Sequence, residues 1–211
     1  MTMNLLIIGA SRGVGRLVVQ QALDEGHHVT AFARDPSSLP SGYERLTVFR
    51  GDATNMDDVL AAVPGHDIVV SALGSDNRRG PTRLYSTATA NIVWAMTEAG
   101  VRRLIALSNY GVLSEGSRHP LTALFAWAVR LAIRDTLADH RLAVEHLKRS
   151  SLDWIAIRPM ALTNGAHTGI YRVAPNGLPS GGTRISRADV ADFMLKQLAT
   201  PLSGQLPALA Y

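Results

Sequence analysis

At 211 residues, of which 46% are hydrophobic and 18% charged, the chain is long enough for one α/β domain with a full core and too short for a comfortable second. It has no cysteine, which excludes disulfides, thiolate metal sites and a cysteine nucleophile, and fits a reducing compartment. The net charge of +4 comes from scattered arginines and pairs such as Arg78-Arg79 and Arg102-Arg103, so it reads as solvated charge plus a few anion-binding side chains, with no nucleic-acid partner.

The opening Met1-Thr2-Met3-Asn4 carries no basic region, and the apolar run after it is too short for a signal or membrane helix. A cytoplasmic protein with no membrane partner is expected. The run from Asn4 to Ile8 reads as a buried strand, Gly9, Gly13 and Gly15 as a tight turn, and Val14, Leu17, Val18 and Ala22 then recur at helical spacing. In a strand–glycine turn–helix unit the backbone N–H groups of the helix start face a dinucleotide pyrophosphate, and a Cβ would hold the phosphates away. Gly9, Ser11, Arg12, Gly13, Val14 and Gly15 are therefore candidate cofactor-binding residues, and no metal site is expected.

The first helix stops at Gly26, a natural left-handed cap. A second strand, His28 to Ala33, ends in Arg34-Asp35-Pro36, where an NAD enzyme would place an acid on the ribose 2′-hydroxyl. Arg34 suits a 2′-phosphate instead, with Arg12 clamping it from the other side. NADP is the expected cofactor, and Asp35 keeps NAD as the less favoured alternative. A third strand, Glu44 to Arg50, leads into Gly51-Asp52, a helix spans about Asn55 to Val63, and a fourth strand, Ile68 to Ala72, runs into Leu73-Gly74-Ser75. Ligands of open parallel sheets sit at this carboxyl edge, which adds Asp52, Ala53, Ala72, Leu73 and Gly74 to the cofactor set. Asp52 suits the adenine amino group, with backbone capping as the alternative.

The segment Ser75 to Thr82 is the most loop-like of the first half, and a long helix follows to Gly100. The fifth strand, Arg103 to Ser108, ends in Ser108-Asn109-Tyr110-Gly111. Ser108 and Asn109 are thereby placed to hold a nicotinamide or its acceptor, or else to cap the strand end. Leu121 to Lys148 reads as one helix or two and carries His140 on a face with Val144 and Leu147; Glu145 is expected to pair with Arg141 or Arg149. His140 is either a proton or hydrogen-bond donor near neutral pH or a partly buried helix-face histidine. A sixth strand, Trp154 to Ile157, ends at Arg158-Pro159. Beyond it, Ile170 to Ala174 and Thr183 to Ser186 are expected to form a small hairpin over the cleft, followed by a helix from Arg187 to Ala199 and an edge strand within Gln205 to Tyr211. Six successive βα units imply an α/β Rossmann-type doubly wound parallel sheet in a single domain.

Ile8-Gly-Ala-Ser-Arg-Gly-Val-Gly, Ala33-Arg-Asp-Pro, Gly51-Asp52, Ser71-Ala-Leu-Gly, Ala106-Leu-Ser-Asn, the run Arg134-Asp135 to Glu145, Arg158-Pro159 and Ile185-Ser-Arg-Ala-Asp-Val-Ala together resemble the atypical short-chain dehydrogenase/reductases. The match is to their small NAD(P)H-binding branch, which includes biliverdin reductase B, an NADPH-dependent flavin reductase. The resemblance implies a nicotinamide over the ends of the fourth and fifth strands, a cofactor contact at Pro159 and a shallow pocket covered by about residues 160–186. It also implies that His140 matches a family histidine and that Asn109 stands where the family has a serine; the branch more often has glycine at the place of Arg12.

The larger branch of the superfamily protonates a carbonyl oxygen with a tyrosine activated by a lysine four residues on. Here Tyr43, Tyr85, Tyr110 and Tyr171 are followed at that spacing by Thr47, Thr89, Ser114 and Pro175. An acceptor that is already electrophilic needs little beyond being held against the nicotinamide. The expected activity is an NADPH-dependent reductase of a small planar conjugated acceptor, such as a flavin, quinone or tetrapyrrole. Ser108, Asn109 and His140 are its candidate catalytic residues, and Tyr110, Trp127 and Met160 line its pocket. The alternatives are a redox sensor that binds the cofactor without turnover and, third, an epimerase or isomerase. A monomer or small homo-oligomer is expected.

Overall fold

Apolar runs with helical repeats between them build a mostly parallel eight-stranded sheet with helices on both faces. The structure is a computed structural model that describes residues 1–74, 82–112, 133–175, 177, 179, 181–199 and 202–211. Its strands are β1 (Asn4–Ile8), β2 (His28–Ala33), β3 (Leu46–Arg50), β4 (Ile68–Ser71), β5 (Arg103–Leu107), β6 (Asp153–Pro159), β7 (Ala161–Thr163), β8 (Arg172–Ala174), β9 (Arg184–Ser186) and β10 (Ala208–Ala210). The helices are α1 (Gly13–Asp24), α2 (Met56–Ala62), α3 (Leu84–Ala99), α4 (Arg134–Arg149) and α5 (Arg187–Lys196). The strand order is β3-β2-β1-β4-β5-β6-β10-β8, with β7 and β9 as a separate pair. Direction of travel reverses at β1, which puts the ligand crevice of a Rossmann fold at the carboxyl ends of β1 and β4.

Alternation along β1 sorts the core. Leu5 and Ile7 pack with Val14, Val18, Phe193 and Met194 of α1 and α5, whereas Leu6 and Ile8 pack with Val59, Ile92, Met96 and Leu147 of α2, α3 and α4. Successive strand side chains point to opposite faces, so a run of consecutive apolar residues is what a strand covered on both sides requires. The Gln21 side-chain amide donates to the Ala188 carbonyl (3.1 Å), tying α1 to α5. Asn55 caps α2 by accepting from the Asp57 amide, and Ser186 caps α5 by accepting from the Asp189 amide. Among the described residues no helix is long and apolar enough to cross a membrane.

Three expectations need correction. The hairpin over the cleft does not form: β8 pairs antiparallel with β10, and β9 pairs parallel with β7. The reason lies in the tail, whose Ala208, Leu209 and Ala210 are fully buried and pair on their other side with β6. β10 is therefore interior to the sheet, and β8 is the edge strand. Glu145 pairs with Lys148 (3.1 Å), because the Arg141 guanidinium turns away and donates to the Val112 carbonyl (3.2 Å). Residues 75–81, and residues 121–132 at the start of the expected long helix, including Trp127, lie outside the described residues.

Candidate functional site

The turn between β1 and α1 uses its three glycines for three reasons. Gly9 sits at φ +83°, and a Cβ there would meet the Ala72 carbonyl oxygen at 2.8 Å, so it lets β1 and the end of β4 close together. Gly15 faces the Gly9 carbonyl so closely that a Cβ would lie 2.1 Å from its oxygen; it sets the approach of helix to strand. Gly13 has φ +58°, the left-handed geometry that aims the first amides of α1 out of the turn. Arg12 precedes it in an extended conformation with no side-chain cap, and the first turn of α1 carries no acid. Its N–H groups and the positive end of its dipole thus stay available to an anion.

The loop after β2 folds back on this turn through a hydrogen bond from the Ser38 hydroxyl to the Ser11 carbonyl. Arg12 and Arg34 are both exposed here. Asp35 accepts from the Ser37 amide (3.0 Å), which holds its carboxyl below the usual range; its carboxylate is occupied by its own turn. Asp52 accepts from the amide (2.9 Å) and hydroxyl (2.8 Å) of Thr54. The Thr54 amide is the main cause of its lowered pKa, with a smaller contribution from the charge of Arg34. The capping alternative for Asp52 is therefore the one the structure displays. Ala53 is buried, and its carbonyl accepts from the Asn91 side chain of α3 (3.0 Å).

At the ends of β4 and β5, Leu73, Ser108 and His140 are brought together around a cavity of about 20 Å³, which Ser71, Tyr85, Thr89 and Ala106 also line. That volume holds one water-sized group. The Ser108 hydroxyl oxygen is buried and finds no hydrogen-bond partner among the described residues. Asn109 is spent locally, its side-chain oxygen accepting from the Gly111 amide (3.0 Å). Pro159 is buried at the end of β6, paired with Leu209. Beside it Arg158 is fully buried and donates to the carbonyls of Leu206 (2.7 Å), Gly177 (3.0 Å) and Tyr110 (3.3 Å).

His140 stacks on Tyr85, with ring centroids 3.7 Å apart. Burial lowers its pKa to about 4, against a smaller upward pull from the Asp139 charge. Of the two readings of His140, the structure displays the buried helix-face one: at pH 7 the ring is neutral, able to donate or accept a hydrogen bond. Asp139 accepts from the amides of Tyr85 and Ser86 (2.9 Å each). Two consecutive residues of α4 thereby fix the start of α3, one through its amides and one through an aromatic face. Sequence reasoning missed Tyr85 and Asp139, since neither follows a recognisable spacing.

The structure does bring one tyrosine and one lysine together, by a route the sequence did not suggest. Lys196 Nζ lies 3.4 Å from the Tyr171 hydroxyl and 5.3 Å from its ring centroid. Tyr171, however, donates to Asp192, and burial together with that carboxylate pushes its pKa up. A catalytic tyrosine needs the opposite shift. Tyr171 also packs on the α1–α5 side of the sheet, away from the Leu147 side that borders the Ser108 cavity. Nearby, Asp189 is fully buried; burial alone would raise its pKa, but hydrogen bonds from the Tyr211 hydroxyl and from Gly169 and Thr168 outweigh it and lower the pKa to about 2.

A parallel sheet that reverses at β1, a three-glycine turn into an uncapped α1, and an exposed arginine within that turn define a dinucleotide-binding protein with a Rossmann-type fold. The chain belongs to the NAD(P)H-binding family, whose pattern matches residues 9–201. An uncharacterized chloroplastic protein of Arabidopsis thaliana is 26% identical over 205 residues, 93% of this chain and 72% of that one. The chain spans about a third of the length of the curated 3-beta-hydroxysteroid dehydrogenases that it also matches. A short-chain dehydrogenase/reductase of Veillonella parvula, solved in complex with NADP, superposes with TM-score 0.82 at 22% identity, covering 100% of this chain and 95% of that one. ChuY, an anaerobillin reductase of Escherichia coli O157:H7, does so with TM-score 0.77 at 27% identity, covering 98% and 96%. NAD(P)H is the family's cofactor, and the glycine cradle and the uncapped helix fit it.

Proposed function

We propose that the protein is a cytosolic NADPH-dependent reductase of a small, planar, conjugated acceptor such as a flavin, quinone or linear tetrapyrrole. The observation that carries this reading is the pair that lines one cavity: a buried Ser108 hydroxyl with no partner among the described residues, beside a His140 ring that burial keeps neutral. These groups orient by hydrogen bonding and include no charged acid near pH 7, which suits an acceptor that is electrophilic already. Bound along the sheet edge, the cofactor supplies a hydride. Gly9, Ser11, Gly13, Val14 and Gly15 cradle its pyrophosphate, and Arg12 and Arg34 take the 2′-phosphate. Asp35 is engaged with Ser37, which leaves less for a ribose hydroxyl and favours NADP over NAD. Asp52 and Ala53 flank the adenosine. Ala72, Leu73, Gly74 and Pro159 run along the nicotinamide half, Ser108 holds the nicotinamide or acceptor, and Asn109 shapes the turn beside it. Residues 160–186 cover the acceptor.

The test is NADPH oxidation by the purified protein against a panel of flavins, quinones, tetrapyrroles and aldehydes. Consumption accelerated by the conjugated acceptors and not by simple aldehydes is expected. A silent panel combined with tight binding that distinguishes NADP from NADPH would instead identify a redox sensor.

A further inference from the structure

We propose that Arg187 is a pyrophosphate-binding residue of the cofactor site, contributed from the far end of the chain. The proposal rests on the family's NAD(P)H site and adds to it a side chain that the glycine turn does not contain. Arg187 is the first residue of α5, directly after the Ser186 cap. Its Nε lies 4.0 Å from where a Cβ on Gly13 would stand, and outside that glycine's own turn no other described atom comes within that distance. The guanidinium is thus poised over the first turn of α1, the helix end with no side-chain cap and no acid.

The Arg187 side chain is half-buried and held in place, its Nη1 donating to the side-chain oxygen of Asn164 (2.7 Å). Asn164 is a neutral acceptor. It fixes the direction of the guanidinium without cancelling its charge, and the remaining N–H groups keep the fork geometry that suits phosphate oxygens. No carboxylate among the described residues forms an ion pair with Arg187. The position selects the pyrophosphate over the 2′-phosphate. Arg34 follows β2 on one side of β1, whereas Arg187 follows β9, which pairs with β7 just after β6, on the other side. The helix amides between the two arginines are those that a pyrophosphate takes.

NAD(H) and NADP(H) share the pyrophosphate, so the two arginines separate in a binding experiment. Titration calorimetry with NADPH and NADH is expected to show Arg187→Gln weakening both by a similar factor, about ten-fold or more for a lost charge-assisted contact. Arg34→Ala should weaken NADPH alone. Adenosine 2′-monophosphate, which has no pyrophosphate, should bind Arg187→Gln as it binds the parent. Arg187→Lys, which keeps the charge, should recover most of the loss, and Asn164→Ala, which frees the guanidinium, should cost both dinucleotides a few-fold; these variants decide the matter if Arg187→Gln folds poorly. Unchanged affinity for both dinucleotides in Arg187→Gln, or a loss confined to NADPH, would overturn the assignment. A parent protein that binds neither dinucleotide would overturn the cofactor reading itself.

Discussion

Two glycines two residues apart should fail in different ways when each is given a methyl group. In Gly15→Ala the new Cβ would stand 2.1 Å from the Gly9 carbonyl oxygen and 2.9 Å from its carbon, more than 1 Å inside an ordinary carbon–oxygen contact of roughly 3.3 Å. Both neighbours are backbone, so relief requires α1 to lift from β1. That movement disturbs Val14, Val18, Val19 and Ala22, all packed in the core. Overpacking of this kind costs about 3 kcal/mol or more, which for a chain of this size lowers Tm by roughly 6–12 °C. Gly13→Ala meets nothing closer than Arg187 Nε at 4.0 Å, and its penalty is the left-handed φ of +58°, about 1 kcal/mol and roughly 2–4 °C. Its methyl group, however, occupies the face the pyrophosphate needs, so NADPH binding should vanish from a protein that still folds. Thermal unfolding by circular dichroism and NADPH titration of the two variants separate these effects. A Gly15→Ala protein that melts with the parent, or a Gly13→Ala protein that binds NADPH normally, would refute the division of roles.

Acid should weaken the fold in two windows. His140 has its pKa lowered to about 4, so the unfolded chain, with an ordinary imidazole, takes up a proton first; about 3 kcal/mol of stability, present above pH 6.5, is lost as pH falls towards 4. Asp189, with its pKa near 2, contributes about 2 kcal/mol that persists above pH 4 and is lost as pH falls through 2. Urea unfolding of His140→Gln should show the first window flattened; a profile that tracks the parent between pH 6.5 and 4 would mean that His140 charges normally in the fold. In steady-state kinetics Ser108→Ala, Asn109→Ala and His140→Ala should each retain measurable flavin or quinone reductase activity, with losses partly in KM, because position rather than proton transfer is what these groups supply. Loss of all turnover in His140→Ala at unchanged NADPH affinity would contradict that account.

The elements that carry the site were legible because their signals are local. A strand, three glycines and a helical repeat lie within Asn4–Asp24, and Gly26 and Gly100 adopt the left-handed φ that a cap requires. What escaped was whatever depends on partners distant in sequence. Ile170 to Ala174 and Thr183 to Ser186 looked like each other's partners by proximity, but the buried tail at Ala208–Ala210 and the strand at Ala161–Thr163 claimed one each. His140 was visible as a residue; its neutrality was not, since that follows from burial against Tyr85 across two helices. Arg187 was visible only as part of a motif, and its proximity to Gly13 arises from the packing of α5 on α1.

The acids at the helix starts also govern how a dinucleotide would be captured. α2 carries Asp57 and Asp58 in its first turn, α4 carries Asp135 and α5 carries Asp189, while α3 has the Asp139 carboxylate on its first amides. Among the described helices α1 alone keeps its positive end open, and Arg12 and Arg187 stand next to it. With the other helix starts faced by carboxylates, the open end of α1 and the arginines beside it form the feature among the described helices that favours an anion. Long-range attraction of this kind acts on the encounter rate and is screened over about 8 Å at physiological ionic strength. For a polyanionic cofactor drawn to this helix end, salt should slow arrival more than it hastens departure.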